Sequence, residues 1–205
     1  MMGTVRALSL LLLCIFGAAY FLKLILLYKK NRIRANVFGK GEKSKIVLRT
    51  ERRLKIFSFS SVIIWVFNVF FPLYAAKWFI KIYDNLWIGI SGLILSLIGV
   101  ILFIAAMAHM RTSWRVGIDQ TTRTDMITGG VYRFSRNPAF LRFDLMFGGM
   151  AIAFGNIVTF VITAFLFIAL HLQILQEEKF LERAFGKSYA AYRQNTKRYF
   201  GWHNP

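Results

Sequence analysis

Cysteine and acidic residues are scarce in this 205-residue sequence. The single cysteine, Cys14, lies inside an apolar run, so the chain has neither a disulfide framework nor a Cys/His metal site of known spacing. Nine acidic residues stand against 27 lysines and arginines, which gives a net charge of +18. A disordered basic tail for nucleic acid is excluded, because 17% of the residues are aromatic and long apolar runs are present. The positive charge must therefore lie between hydrophobic segments.

The hydrophobic content is that of a membrane protein. Apolar residues make up 57% of the chain, against roughly 45 to 50% in soluble domains, and the mean hydropathy is +0.50. Five apolar runs are predicted to be transmembrane helices, at about residues 7–28, 56–76, 86–108, 138–154 and 157–176. Only Gly155 and Asn156 separate the last two, which predicts a tight antiparallel hairpin. The expected fold is all-α, a polytopic membrane protein with five transmembrane helices, a carboxyl-terminal helical hairpin and a cytoplasmic tail.

Lysine and arginine are distributed unevenly between these runs. Residues 29–55 hold eleven of them, residues 109–137 hold five and the segment after Gln176 holds six, whereas residues 75–85 hold two. Because basic segments stay in the cytoplasm, the amino terminus is predicted to be outside and the carboxyl terminus cytoplasmic. The first basic loop is interpreted as a determinant of topology that also attracts anionic lipid headgroups, in preference to nucleic acid.

Polar residues gather at the predicted start of the fourth helix. Asn137 and Pro138 suit the cap and the first position of a helix. Capping by itself leaves the neighbours unexplained, since Arg136 precedes the cap while Phe140 and Asp144 follow on its own helical face. Asn137 is therefore either a simple cap or part of the floor of a site.

A second polar group, Glu177 and Glu178, stands at the end of the fifth helix. Together with Glu182 it forms either the solvated face of an emerging helix, with Gly186 as its carboxyl-terminal cap, or one wall of a site.

The order of the motifs is more specific than any one of them. A tryptophan-containing loop is followed by Gly-x-Tyr-Arg-x-x-Arg-Asn-Pro (130–138), the apolar hairpin, Glu-Glu-x-x-Leu (177–181), Phe-Gly-x-x-Tyr-x-x-Tyr (185–192) and a basic aromatic end (197–200). From about residue 108 to 199 the chain resembles the superfamily of integral membrane methyltransferases that includes isoprenylcysteine carboxyl methyltransferases and phospholipid N-methyltransferases. It then divides into residues 1–107, with spans one to three and the basic loop, and residues 108–205, the methyltransferase core.

The resemblance implies S-adenosylmethionine as the cofactor and a membrane lipid or small lipophilic molecule as the methyl acceptor. The implied cofactor-binding residues are Tyr132, Arg136, Asn137, Pro138, Glu177, Glu178, Tyr189 and Tyr192. Transfer of a methyl group from a sulfonium needs in-line positioning and exclusion of water, and no metal.

Glu177, Glu178 and Asn137 are the candidate catalytic residues. A carboxylate can hold the cofactor's amino group or ribose hydroxyls, and it can accept the proton of an amine acceptor. Four residues are assigned to the acceptor side: Phe140, Asp144, His171 and Arg198.

Two of these acceptor-side residues have alternative interpretations. His171 either lines the site or is hydrogen-bonded inside the bundle. Asp144 either pairs with Arg142 or Arg136, or forms a polar wall of the acceptor pocket.

The sequence also departs from the pattern of the superfamily. Asn137 stands where the carboxyl methyltransferases have His, Phe140 where Tyr is common, and Arg142 where Gly usually follows. Asn195 occupies the position at which the prenylcysteine enzymes place an arginine, which argues against a prenylcysteine carboxylate as substrate. Two other functions are alternatives: a nicotinamide-dependent membrane lipid reductase, and a non-catalytic lipid-binding membrane protein. The sequence does not indicate an oligomeric state.

Overall fold

The computed structural model describes residues 2–118, 126–199 and 201, and this part of the chain is helical. Its α-helices are α1 (Met2–Asn31), α2 (Lys45–Phe70), α3 (Pro72–Trp78), α4 (Leu86–His109), α5 (Pro138–Phe154) and α6 (Ile157–Asn195). The described residues form no strand, and their β-type pairing is limited to two isolated bridges, Asn36–Val116 and Lys81–Asn156.

Four of these helices, α1, α2, α4 and α6, are long and apolar enough to cross a membrane. Large apolar side chains such as Phe21, Phe59 and Ile101 point outward from them, as expected of a surface that faces lipid. The prediction of an all-helical integral membrane protein is therefore confirmed. The remaining predicted span, α5, has 17 residues, which corresponds to a length of about 25 Å.

The apolar run 56–76, predicted as the second span, falls on two helices, α2 and α3. α2 begins at Lys45, where the hydroxyl of Ser44 caps the helix by accepting from the Val47 amide at 3.3 Å. The helix therefore begins with basic turns, which a search for apolar runs does not detect. It ends at Phe70 because Pro72 disfavours the helical conformation at the preceding residue, Phe71, which has φ −121°. A separate short helix, α3, follows.

The predicted hairpin of α5 and α6 is confirmed. Gly155 ends α5 in the left-handed conformation, with φ 59° and ψ 36°, and the side chain of Asn156 caps α6 by accepting from the Thr159 amide at 2.9 Å. A Cβ atom at Gly155 would lie 2.6 Å from the ring of Tyr83, so the turn needs glycine for both space and conformation.

Glycines on α4 let its backbone approach α5. An added Cβ would lie 2.5 Å from backbone atoms of α5 at Gly92 and 2.6 Å at Gly99. Between them, the hydroxyl of Ser96 donates to the carbonyl of Met146 at 2.6 Å. Small residues of this kind are typical of close helix packing in membranes. The contact holds the start of α5 against the end of α4.

The fifth predicted run, 157–176, is only the first part of α6, which continues to Asn195. Gly186, with φ 50° and ψ −120°, is not helical, so α6 consists of two helical parts joined by a kink at this residue. The chain then folds back onto the start of α5, where the amide of Arg136 donates to the carbonyl of Lys197 at 2.9 Å. Three separate segments therefore meet at this end of the bundle.

Candidate functional site

The carboxylate of Glu178 is the centre of a polar cluster where α6, the start of α5 and the carboxyl-terminal segment meet. Oε1 accepts from Nε and Nη2 of Arg136, at 3.3 and 3.1 Å, and from Nδ2 of Asn137 at 2.9 Å. Oε2 accepts from Nε and Nη2 of Arg198, at 3.1 and 2.8 Å. Glu178 is only 6% exposed, so these charge-assisted bonds are largely shielded from water. The structure thus brings together four residues that were predicted for the site.

Both arginines of the cluster are strongly held. Nη1 of Arg136 also donates to the carbonyls of Arg193 and Thr196, at 3.0 and 2.7 Å. The pKa of Arg198 is raised above its ordinary value because its guanidinium donates to Glu178. Arg136 therefore joins the start of α5 to the end of α6, and Arg198 joins the final segment to the same carboxylate.

Asn137 occupies the cap position of α5, but its side chain does not cap the helix. Its side-chain nitrogen, Nδ2, donates to Glu178 and, at 3.3 Å, to the carbonyl of Arg198. The interpretation of Asn137 as a simple cap is therefore wrong. Pro138 lies at the first helical position, as predicted.

Three predicted tyrosines line the same end of the bundle. Tyr132 lies in the 3₁₀ turn Gly130–Arg133, and its carbonyl accepts from the hydroxyl of Tyr192 at 2.6 Å. Burial raises the pKa of Tyr132 to about 12, so its phenol stays neutral. Tyr189 packs edge-on against Tyr192 with ring centroids 6.2 Å apart and is 1% exposed. The hydroxyl of Tyr189 lies near the guanidinium of Arg136 but makes no hydrogen bond of good geometry with a described residue, so it can bond to a ligand.

Glu177 lies on the side of α6 that faces α2, where Lys43 and Glu51 are charged neighbours. One turn earlier, the side chain of Gln173 is fully buried. Its amide lies near the carboxylate of Glu177 but makes no hydrogen bond of good geometry with a described residue. The two adjacent glutamates therefore have different surroundings, and Glu178 alone is tied to both arginines.

Asp144 and His171 form a second polar group, deeper in the bundle. Asp144 follows Asn137 by seven residues on α5 and His171 precedes Glu178 by seven on α6, so in the antiparallel hairpin both lie about 10 Å below the Glu178 cluster. The hydroxyl of Tyr199 hydrogen-bonds Nδ1 of His171, and the two rings stack with centroids 6.1 Å apart. The structure therefore contains the hydrogen bond inside the bundle that was one of the two interpretations of His171.

Asp144 makes no ion pair with Arg142 or Arg136, although all three residues are described. Its Oδ1 is buried without a hydrogen-bond partner in the described part of the structure. The pKa of Tyr199 is raised, first by burial and then by the nearby Asp144 carboxylate. Of the two interpretations of Asp144, pairing with an arginine is therefore not observed.

Arg142 and Phe140 point into the bundle. The guanidinium of Arg142, a residue 2% exposed, reaches α4, where Nη1 donates to the carbonyls of Leu102 and Phe103 at 2.6 and 3.4 Å, and its Nε donates to the carbonyl of Pro138. It fills the interface between α4 and α5, and its charge also lies near the phenol of Tyr132. Phe140 belongs to the buried apolar core.

Sequence reasoning missed two residues of this region. Tyr199 was recognised only as part of a basic aromatic end, whose last residue, Phe200, lies outside the described residues. Glu51 accepts from Nζ of Lys43 at 2.7 Å and from the amides of Gly39 and Ile118 at 2.8 and 3.0 Å. A signal for it was present, since residues 29–55 contain only two acidic residues among eleven basic ones.

The helical bundle, with four helices long and apolar enough to cross a membrane, is that of an integral membrane protein. Residues 87–188 match the family described as phospholipid methyltransferase. The solved structure of the eukaryotic intramembrane Ras methyltransferase, isoprenylcysteine carboxyl methyltransferase, has a similar fold, with a TM-score of 0.62 and 20% sequence identity over 91% of this chain and 62% of that one. No curated protein matches the chain by sequence.

These findings support the predicted superfamily. Residues 87–188, just under half of the chain, match the phospholipid methyltransferase family, and the solved isoprenylcysteine carboxyl methyltransferase shares the fold. The chain spans 62% of the length of the solved structure.

Proposed function

We propose that this chain is an S-adenosylmethionine-dependent methyltransferase that acts on a membrane lipid or small lipophilic acceptor. The observation that carries the proposal is the Glu178 cluster, in which one buried carboxylate joins Arg136 and Asn137 of one motif to Arg198 of another. Arg136, Asn137 and Glu178 lie within the residues that match the phospholipid methyltransferase family.

The residues at this end of the bundle fit the cofactor chemically. The hydroxyl of Tyr189 and the amide of Gln173 can bond to ribose and amino groups, and Glu177 can hold a cation. Tyr132, Tyr192 and Pro138 supply the surrounding wall. When bound, S-adenosylmethionine supplies an electrophilic methyl group on its sulfonium. Glu178 positions Arg136 and Asn137, and the buried tyrosines exclude water.

The acceptor side of the proposed site is the deeper polar group. The unpartnered Oδ1 of Asp144 can accept a hydrogen bond or proton from an acceptor, and His171 and Tyr199 form the opposite wall. Phe140, in the apolar core, and the partly exposed Arg198 complete the proposed acceptor side. A lipophilic acceptor suits a site placed about two helical turns inside a membrane-embedded hairpin.

The proposed topology has five spans, with α5 as the fourth, the amino terminus outside and the carboxyl terminus cytoplasmic. It is supported by the lysine and arginine counts and is tested with reporter fusions. Reporters after Asn31, Thr121 and Trp202 are expected in the cytoplasm, and one within residues 81–85 outside. An external carboxyl terminus would contradict the five-span arrangement.

The proposed activity is tested first by calorimetric titration of the purified protein. S-adenosylmethionine and its demethylated product are expected to bind, and a reduced nicotinamide is not. Binding of the nicotinamide alone would favour the lipid reductase, and binding of neither would favour a non-catalytic lipid-binding protein. Transfer of labelled methyl groups into extracted membrane lipids then identifies the acceptor.

A further inference from the structure

A basic groove lies on the first turns of α2, apart from the Glu178 cluster. It has a volume of about 470 Å³ and is lined by the loop residues Phe38 and Gly39 and by one face of the helix. The basic residues that line it are Lys45, Arg49, Arg52 and Lys55.

The positive charge of this groove is not neutralised by the described part of the protein. All four basic residues are exposed, and none of them makes an ion pair with a described acidic residue. Glu51 also lines the groove, but its two oxygens are used by Lys43 and by the amides of Gly39 and Ile118. An anion that enters the groove would therefore find several cations without a described counter-ion.

The same face of α2 continues into the membrane as an apolar stripe. Ile56, Phe59 and Ile63 follow the basic residues at helical spacing and are 53%, 67% and 51% exposed. One helix face therefore presents cations at the membrane surface and, directly below them, side chains that contact lipid tails. A soluble phosphate would use only the first part of this surface.

We propose that this groove binds an anionic phospholipid of the surrounding bilayer. Its phosphate lies among Arg49, Arg52 and Lys45, and its acyl chains lie along Ile56 and Phe59. Arginine suits this role because its guanidinium can donate two hydrogen bonds to one phosphate. The inference is independent of the proposed enzymatic activity, since it uses no residue of the Glu178 cluster.

The test is native mass spectrometry of the full-length protein in detergent, titrated with phosphatidylglycerol or with phosphatidylcholine of equal chain length. Arg49→Gln combined with Arg52→Gln removes two charges from the groove. Lys29→Gln combined with Lys30→Gln is the matched control, because it removes two exposed basic residues at the end of α1, outside the groove. Circular dichroism checks that both variants keep the helical content of the parent.

The parent is expected to bind phosphatidylglycerol more tightly than phosphatidylcholine. The groove variant should weaken phosphatidylglycerol binding about 30-fold, at about fivefold per basic residue, and the control variant less than threefold. Equal losses in the two variants would overturn the proposal in favour of a general charge effect. Glycerol phosphate that binds as tightly as the lipid would also overturn it, because the apolar stripe would then contribute nothing.

Discussion

Two buried glutamates organise this molecule in different ways. Glu51 is 2% exposed and bonds to one lysine and two backbone amides, whereas Glu178 is 6% exposed and bonds to two arginines and one asparagine. Glu51 thereby joins the loop after α1 to the loop after α4. Glu178 joins side chains of three segments that the superfamily pattern also marks.

The nature of the donors explains the difference. A backbone amide has a single N–H group whose direction is fixed by the backbone, so its bond to Glu51 determines the path of the loop. Arginine side chains have several donors and many rotamers, so the partners of Glu178 can keep it satisfied while presenting other donors to a ligand. We therefore expect Glu51 to matter mainly for stability and Glu178 mainly for binding.

The largest expected effect is on stability, from Glu51→Ala. The Lys43 side chain is 1% exposed, and the substitution leaves its charge buried without a counter-ion, with only the carbonyl of Val37 as acceptor, which costs about 3 to 5 kcal/mol. Thermal unfolding in detergent should show a clearly lower midpoint. Glu51→Leu combined with Lys43→Met removes both charges and should be less destabilising, and the loss that remains measures the bonds to the amides of Gly39 and Ile118. An unchanged midpoint in Glu51→Ala would show that this glutamate does not organise the loops.

Glu178→Gln is expected to act on cofactor affinity. It removes the charge that Arg136 and Arg198 share, so calorimetry should show binding weaker by about 1.5 to 3 kcal/mol. Glu177→Gln should give a loss in the same range if Glu177 holds the cationic cofactor. The matched control is Glu182→Gln, one turn later on α6, whose side chain is 57% exposed. If Glu178→Gln and Glu182→Gln bind the cofactor equally well, Glu178 has no special role in binding and does not differ from Glu51 in this respect.

Asn137→Asp tests the side-chain donors of the cluster. It replaces a donor 2.9 Å from Glu178 with a second carboxylate, so both stability and cofactor affinity should fall, each by about 1 to 3 kcal/mol. Asn137→His keeps a donor and should retain measurable binding of the demethylated cofactor product. If Asn137→Asp has the stability and the cofactor affinity of the parent, the bond between Asn137 and Glu178 contributes to neither.

The smallest expected effect is that of Tyr199→Phe, which removes the hydroxyl bonded to His171. A loss of about 0.5 to 1.5 kcal/mol is expected in acceptor binding, seen as a higher KM for the acceptor. Cofactor affinity should be unchanged, because Tyr199 lies on the deeper group. Tyr74→Phe, at an exposed position, is the control. A change in cofactor affinity with no change in KM for the acceptor would show that Tyr199 belongs to the cofactor side and not to the acceptor side.

Local features of the fold were predicted well. The Gly155–Asn156 turn combines a residue that adopts positive φ with a residue that caps a helix, and the structure contains both. The start of α2 was missed because basic turns at a membrane surface carry no apolar signal. The hydrogen bond between His171 and Tyr199 joins residues 28 positions apart in the sequence. Helical periodicity does not predict contacts over that separation.

The sequence by itself determined the helical runs, the hairpin, the charge asymmetry and the order of the superfamily motifs. These follow from interactions between residues a few positions apart and from the cost of placing charge in lipid. Only the tertiary structure decided that Asn137 bonds to Glu178 instead of capping α5, that Arg142 reaches α4, and that Glu51 is buried. Those outcomes depend on which helices pack together and on how the final segment folds back, and buried polar groups then bond to the partners that packing brings within reach.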